Sequence, residues 1–311
     1  FMDSPRYATG FTTLFNTLGT VGETHMLKPY GERVWATYEY MLSSIHYTER
    51  NAAEIQKKMA ESLVELQPGK KYALQWKLDD TKFQMIDFKG YEAGKKTSEV
   101  SGKPRLFYDK TKPFTRKVKF FNEYIAAKEV TIPKFYAIPK SEYKVIEYLK
   151  RNNIKIKEIA KDSAINVEVY RIEDYKTVKN PYEGHYLHYE TKTKSEFKNL
   201  MFRKGDFLVS TEQNGVKYLL ETLEPEATDS FFNWNFFDAI LGQKEYFSDY
   251  VFEDTAAELL KNDQVLRTAF EFEKIAKPEF ANDANAQLDW IYRHSDYYEK
   301  SIGLYPIYRI L

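Results

Sequence analysis

Between Gly31 and Gln67 the chain holds neither proline nor glycine, while apolar or aromatic residues return every three or four positions at Val34, Tyr38, Met41, Ile45, Ala52, Ile55, Met59, Leu63 and Leu66. That spacing marks one stripe of an α-helix, and Pro29 stands where a first-turn proline is tolerated. At about 1.5 Å per residue the helix would reach roughly 50 Å, well beyond the width of a small domain. The chain must therefore lay one rod across two units or break it. His46–Asn51 is the place for a break.

On either side of this helix the texture differs. Upstream, Gly10-Phe11-Thr12-Thr13-Leu14-Phe15 and Leu18-Gly19-Thr20-Val21-Gly22-Glu23 read as a short helix, a turn and a buried strand whose end carries Glu23. Downstream, Gln67-Pro68-Gly69 closes the helix, and period-two alternation predicts strands at 72–78 and 82–88. Further strand-like runs lie at 115–121, 130–138, 167–172 and 207–211, with a helix opened by Ser141 that carries Val145, Ile146 and Leu149 on one face. From Asp229 the pattern turns helical, through 231–241, 256–260, 265–272 and 286–292. The expected division is residues 1–67, residues 68–228 as a mostly β domain, and residues 229–311 as a helical tail. The fold class is then an α/β fragment followed by an α+β unit.

Composition narrows the function. Basic and acidic residues balance at 46 each, which argues against a broad nucleic-acid footprint. Runs such as Arg116-Lys117-Val118-Lys119 alternate charge with apolar residues, as the wet face of a strand does. With no cysteine, disulfides, thiolate zinc sites and cysteine nucleophiles are excluded. No apolar run reaches the roughly 18 residues of a membrane helix. Phosphate-cradling glycine motifs and a G-x-S-x-G elbow are absent. The 25 Tyr and 22 Phe fit half-buried strands, or a surface for sugars or peptides. The start, Phe1-Met2-Asp3-Ser4-Pro5-Arg6, lacks a signal-peptide pattern and is expected to be a fragment boundary.

Several segments carry a resemblance. Tyr7-Ala8-Thr9-Gly10-Phe11, Leu14-Phe15-Asn16-Thr17-Leu18-Gly19 and above all Glu23-Thr24-His25-Met26-Leu27-Lys28-Pro29-Tyr30 resemble the end of the catalytic domain in a bacterial branch of the M14 zinc carboxypeptidases. Asn180–Tyr186, Ser230–Asp238 and Gln243–Tyr250 resemble the long C-terminal extension of that branch. The resemblance implies a secreted or periplasmic enzyme of the cell envelope that cleaves C-terminal residues from peptide or protein substrates. Such enzymes hold one zinc with a His-x-x-Glu pair and a later His. By the same resemblance Glu23 is the general base and acid, and Tyr7 is matched more loosely to a mobile tyrosine. On the residues alone, Glu23 could equally be an ordinary strand-end carboxylate.

The departures from the family pattern concern the metal. Its ligands should precede the glutamate, so the zinc is expected to be held by an upstream half that this chain does not contain, and residues 1–45 should be incomplete without that half. Arg6 matches no substrate-binding motif. His46-Tyr47-Thr48-Glu49 satisfies His-x-x-Glu but follows Glu23, on the predicted helix, where a solvated face is the expected reading. His185 and His188 would point to opposite faces if both lay on a strand. His25 reads as a structural hydrogen-bonding residue, and His294 stands alone on a late helix. Two classes stay open: a piece of a zinc metallocarboxypeptidase, inactive alone, or a non-catalytic accessory module that binds peptide, glycan or a partner protein.

Overall fold

The structure is a computed structural model that describes residues 3–311; Phe1 and Met2, and with them the reading of the chain start, lie outside the described residues. In chain order the elements are α1 (Ala8–Thr13), α2 (Tyr30–Val64), β1 (Lys71–Leu78), β2 (Gln84–Thr97), β3 (Pro104–Phe120), β4 (Tyr124–Thr131), β5 (Phe135–Ile138) and α3 (Tyr143–Arg151). There follow β6 (Lys157–Glu158), β7 (Ser163–Thr177), β8 (His188–Phe202), β9 (Phe207–Ser210), α4 (Val216–Leu223), α5 (Asp249–Asn262), α6 (Gln264–Ala276), α7 (Pro278–Ala281), α8 (Ala284–Arg293) and β10 (Tyr308–Ile310). Helices and antiparallel sheets contribute in similar measure, an α+β arrangement.

Six strands in the order β6-β9-β5-β10-β7-β8 form the central sheet. Alternation sorts their side chains: Tyr136, Ile138, Val209 and Ile307 point to one face, Ala137, Val167 and Val169 to the other. The first face receives the stripe Val145, Ile146 and Leu149 of α3, and Leu219, Leu220 and Leu223 of α4. Each fully buried aliphatic side chain contributes roughly 1.5–3 kcal/mol, so this layer is the main source of stability. Phe231, Phe232 and Phe237 close it. The β1–β4 pair joins the same core through Leu74 and Val130. Helices α5 to α8 build a smaller core of their own around Phe252, Phe270 and Tyr292.

Three expectations need correction. The buried strand ending at Glu23 does not form: residues 17–25 are irregular and Val21 is exposed. A strand needs a partner to satisfy its backbone groups, and among the described residues none lies beside this segment. Residues 231–241 are turns around a short 3-10 helix at Asp238–Ile240 rather than a helix, because the Phe-Phe-Asn-Trp-Asn-Phe-Phe run folds back to fill the core from one side. The tail is not all helical either, since β10 returns to the middle of the sheet between β5 and β7.

The long helix does form, over thirty-five residues, with non-helical dihedrals at Asn51. There the Asn51 Nδ2 donates to the Tyr47 carbonyl at 2.7 Å, a side-chain bond that competes with the helical ladder. No residue of α2 is buried. Of its stripe, Val34, Tyr38, Met41 and Ile45 are exposed, while Ala52, Ile55, Met59 and Leu63 are half-buried and Leu63 packs on the main core.

Candidate functional site

The segment bearing Glu23 leaves α1 through Asn16, whose left-handed backbone (φ 56) suits an asparagine. Asn16 Nδ2 donates to the Met59 carbonyl at 2.8 Å, and Ser62 Oγ donates to Asn16 Oδ1 at 2.7 Å, which ties the turn to the far end of α2. From there the chain runs back along the helix, with Gly22 against the Tyr40 ring. Between segment and helix lies an open cavity of about 960 Å³, lined by Asn16, Leu18, Tyr40, Tyr47, Ile55 and Lys217 among others.

Glu23 stands beyond this cavity, exposed, and makes no hydrogen bond or ion pair with any described residue. Tyr7 is exposed too, at the N-terminus of α1. The structure therefore does not bring the two together in a cleft. A few residues further on, Met26 and Leu27 are 77% and 84% exposed, and Tyr30, Trp35, Tyr38, Met41 and Ile45 are exposed along the first half of α2. A patch of this length is larger than the scattered apolar residues normal on a soluble surface.

The histidines divide. His25 Nδ1 accepts from the Leu27 amide at 3.2 Å. His46 and Glu49 are exposed on α2. His294 stacks on Trp290 with centroids 3.9 Å apart. His185 lies in a turn before β8, so it and His188 line one cavity of about 290 Å³ after all, contrary to the strand argument. His188 is already engaged, with Thr177 Oγ1 at 2.9 Å from Nδ1 and Asp238 Oδ1 at 3.1 Å from Nε2. Among the described residues no three His, Asp or Glu side chains converge to hold a metal.

Arg6, which matched no motif, is an anchor. Its Nε donates to Asp229 Oδ1 at 2.7 Å and its amide to Oδ2 at 3.0 Å, while Trp234 Nε1 donates to the same carboxylate. The guanidinium lies 5.5 Å from the ring centroids of Tyr182 and Trp234. This clamp fixes the N-terminal segment to the β core.

Two buried acids escaped the sequence reading. Glu224 sits beneath β10, where Arg309 Nε faces it at 3.0 Å off the hydrogen-bond direction and Tyr136 Oη donates to it at 2.5 Å. Arg309 also reaches Glu168, the Thr131 carbonyl and Tyr170 Oη. Burial pushes the Glu224 carboxyl up, against the pull of Arg309 and the two tyrosine hydroxyls. The alternation of Ile307, Tyr308, Arg309 and Ile310 was a signal for this strand, too short to stand out.

Glu221 is the second. It accepts from Tyr72 Oη at 2.8 Å at the back of a cavity closed by Asp3, Ser4 and Gly10, and burial raises it from 4.5 to about 7. Because the folded-state value is the higher one, the folded chain keeps a proton that the unfolded chain releases, so stability falls as pH rises from 4.5 to about 7 and stays reduced above. Glu221→Gln is expected to be more stable than the parent by about 3 kcal/mol at pH 8 and equal to it near pH 4.5, read from urea unfolding at both values. An equal gap at the two pH values would mean that the carboxyl is not held neutral by burial.

Comparison with protein-family models, with curated proteins and with solved structures finds no match for this chain. No described helix is long and apolar enough to cross a membrane.

Proposed function

We propose that this chain supplies the proton-transfer carboxylate and the docking surface of a secreted or periplasmic zinc metallocarboxypeptidase, and that the zinc-binding half of the catalytic domain packs on residues 18–64. The observation that carries this reading is the run of bare apolar residues that follows Glu23, from Met26 to Ile45. A carboxylate enclosed by apolar walls is tuned for proton transfer at neutral pH. Covering this face would bury the aromatic stripe of α2 and enclose Glu23 in one step. Among the described residues none form a group that fits a zinc site, so the metal would be held by the partner half. Glu23 would take a proton from the attacking water and return it to the leaving amine of a peptide or protein substrate.

A second reading rests on a separate observation. Residues from about 70 to 311 contribute most members of the main core, with Leu14 and Leu66 joining from outside that range, which suits an accessory module that shapes the cleft or binds peptide, glycan or a partner. Both readings can hold for one polypeptide.

Zinc content and peptidase activity separate them. The chain alone is expected to hold no tight zinc and to cleave no peptide; joined to a zinc-binding carboxypeptidase half, it is expected to restore activity with one zinc per complex. Stoichiometric zinc on the chain alone overturns the proposal, and so does a half that binds zinc but neither associates nor gains activity.

A further inference from the structure

The ribbon of β2 and β3 stands apart from both cores. Its strands run over fourteen and seventeen residues, and neither contributes a buried one. At about 3.3 Å per residue the arm reaches roughly 45 Å. Isolated two-stranded ribbons are marginal in water, and this one is held by contacts between its own strands. Phe88 and Phe114 meet at 6.3 Å, Arg116 pairs with Glu92, and Lys117 pairs with Asp87 at 2.9 Å. The Phe107 ring occupies the space that a side chain on Gly94 would need.

Charge is gathered on this arm. Residues 84–120 hold ten basic side chains against four acidic, in a chain with 46 of each, so the rest of the molecule carries the acidic excess. Near the tip, between residues 93 and 108, Lys95, Lys96, Lys103 and Arg105 are opposed only by Glu99. Among these cations Val100 is 99% exposed at the turn, and Leu106 and Tyr108 are exposed on one face of β3. Lysines on ribbon edges are a common device against strand-to-strand aggregation. That device has no use for a bare valine at the turn or for a leucine and a tyrosine side by side. Apolar groups ringed by cations match an anionic lipid surface, which receives the apolar groups at headgroup depth while the cations meet the phosphates.

We propose that the distal half of this ribbon, residues 93–108, docks the protein on an anionic lipid surface. Aliphatic Val100 and Leu106 enter the interface, Tyr108 lies at headgroup level, and the four cations supply the electrostatic attraction. The inference is independent of the peptidase reading, because no residue of the ribbon takes part in that site.

Sedimentation of the 311-residue chain with vesicles tests it. Binding is expected to vesicles of mixed phosphatidylglycerol and phosphatidylcholine, to weaken steeply with salt, and to be slight with phosphatidylcholine alone. Lys95→Gln with Lys96→Gln is expected to weaken partitioning about 30-fold and Val100→Ser about tenfold, with unfolding midpoints unchanged because these side chains are exposed. Lys144→Glu, on α3, is expected to leave it unchanged. The proposal is overturned if the anionic vesicles are not bound, or if Lys144→Glu matters as much as the tip variants. It is equally overturned if Val100→Ser binds like the parent while soluble polyphosphate displaces both, which would make the arm a general polyanion binder.

Discussion

In the chain joined to a zinc-binding half, Glu23→Gln is expected to lower kcat by about 10²- to 10⁴-fold, the usual worth of a positioned proton carrier, with KM little changed. The amide keeps the shape of the side chain and removes its ability to take a proton. In this chain alone the same substitution is expected to shift stability by no more than about 0.5 kcal/mol, since Glu23 is exposed and has no partner among the described residues. That contrast separates a catalytic role from a structural one. Tyr7→Phe, at a residue equally exposed, serves as the weaker companion test. A Glu23→Gln complex that turns over substrate at the parent rate would remove the peptidase reading and leave the accessory module.

Arg309→Met is expected to destabilise the folded chain by about 3–5 kcal/mol, the range for removing one partner from a buried ion pair. Arg309 is 4% exposed and sits opposite Glu224, which is 1% exposed. Methionine fills much of the space but leaves the carboxyl facing two tyrosine hydroxyls with no cation. Burial already holds Glu224 above its ordinary range, and without Arg309 nothing but those hydroxyls opposes it. The loss should therefore grow as pH rises from the ordinary carboxylate value, because the variant must keep Glu224 protonated to stay folded. Adding Glu224→Gln to Arg309→Met should recover part of the loss. Urea unfolding of the single and double variants measures both effects. An Arg309→Met chain as stable as its parent would mean that the pair contributes nothing to anchoring β10.

Much of the local structure was legible because it is written in short-range pattern. The α2 stripe, the alternating strands at 72–78 and 207–211, and the buried face of α3 all appear where periodicity placed them. The strand at β8 was missed, since Tyr189, Phe197 and Met201 are exposed among lysines and glutamates and its alternation is weak. Residues 18–23 failed in the opposite direction. Leu18 and Val21 look like core, and among the described residues they remain exposed.

The candidate site shows the same division. Glu23 and Tyr7 came from a likeness in residue order, which carries no information about what surrounds a side chain. Neither Arg309 with Glu224 nor Arg6 with Asp229 could be read that way, because each pair joins residues far apart in the chain. The basic run of the ribbon was visible as charge alternating with apolar residues. That it leaves both cores and carries a bare valine at its tip was not.

By itself the sequence determined the long helix, the strands at 72–78 and 207–211 and the apolar face of α3, since those depend on residues a few positions apart. Only the tertiary structure decided that β10 inserts between β5 and β7, that Glu221 and Glu224 lie out of water, and that the first half of the α2 stripe remains bare. Burial is set by what the rest of the fold brings to a face. Distant segments supply those neighbours, and no local pattern names them.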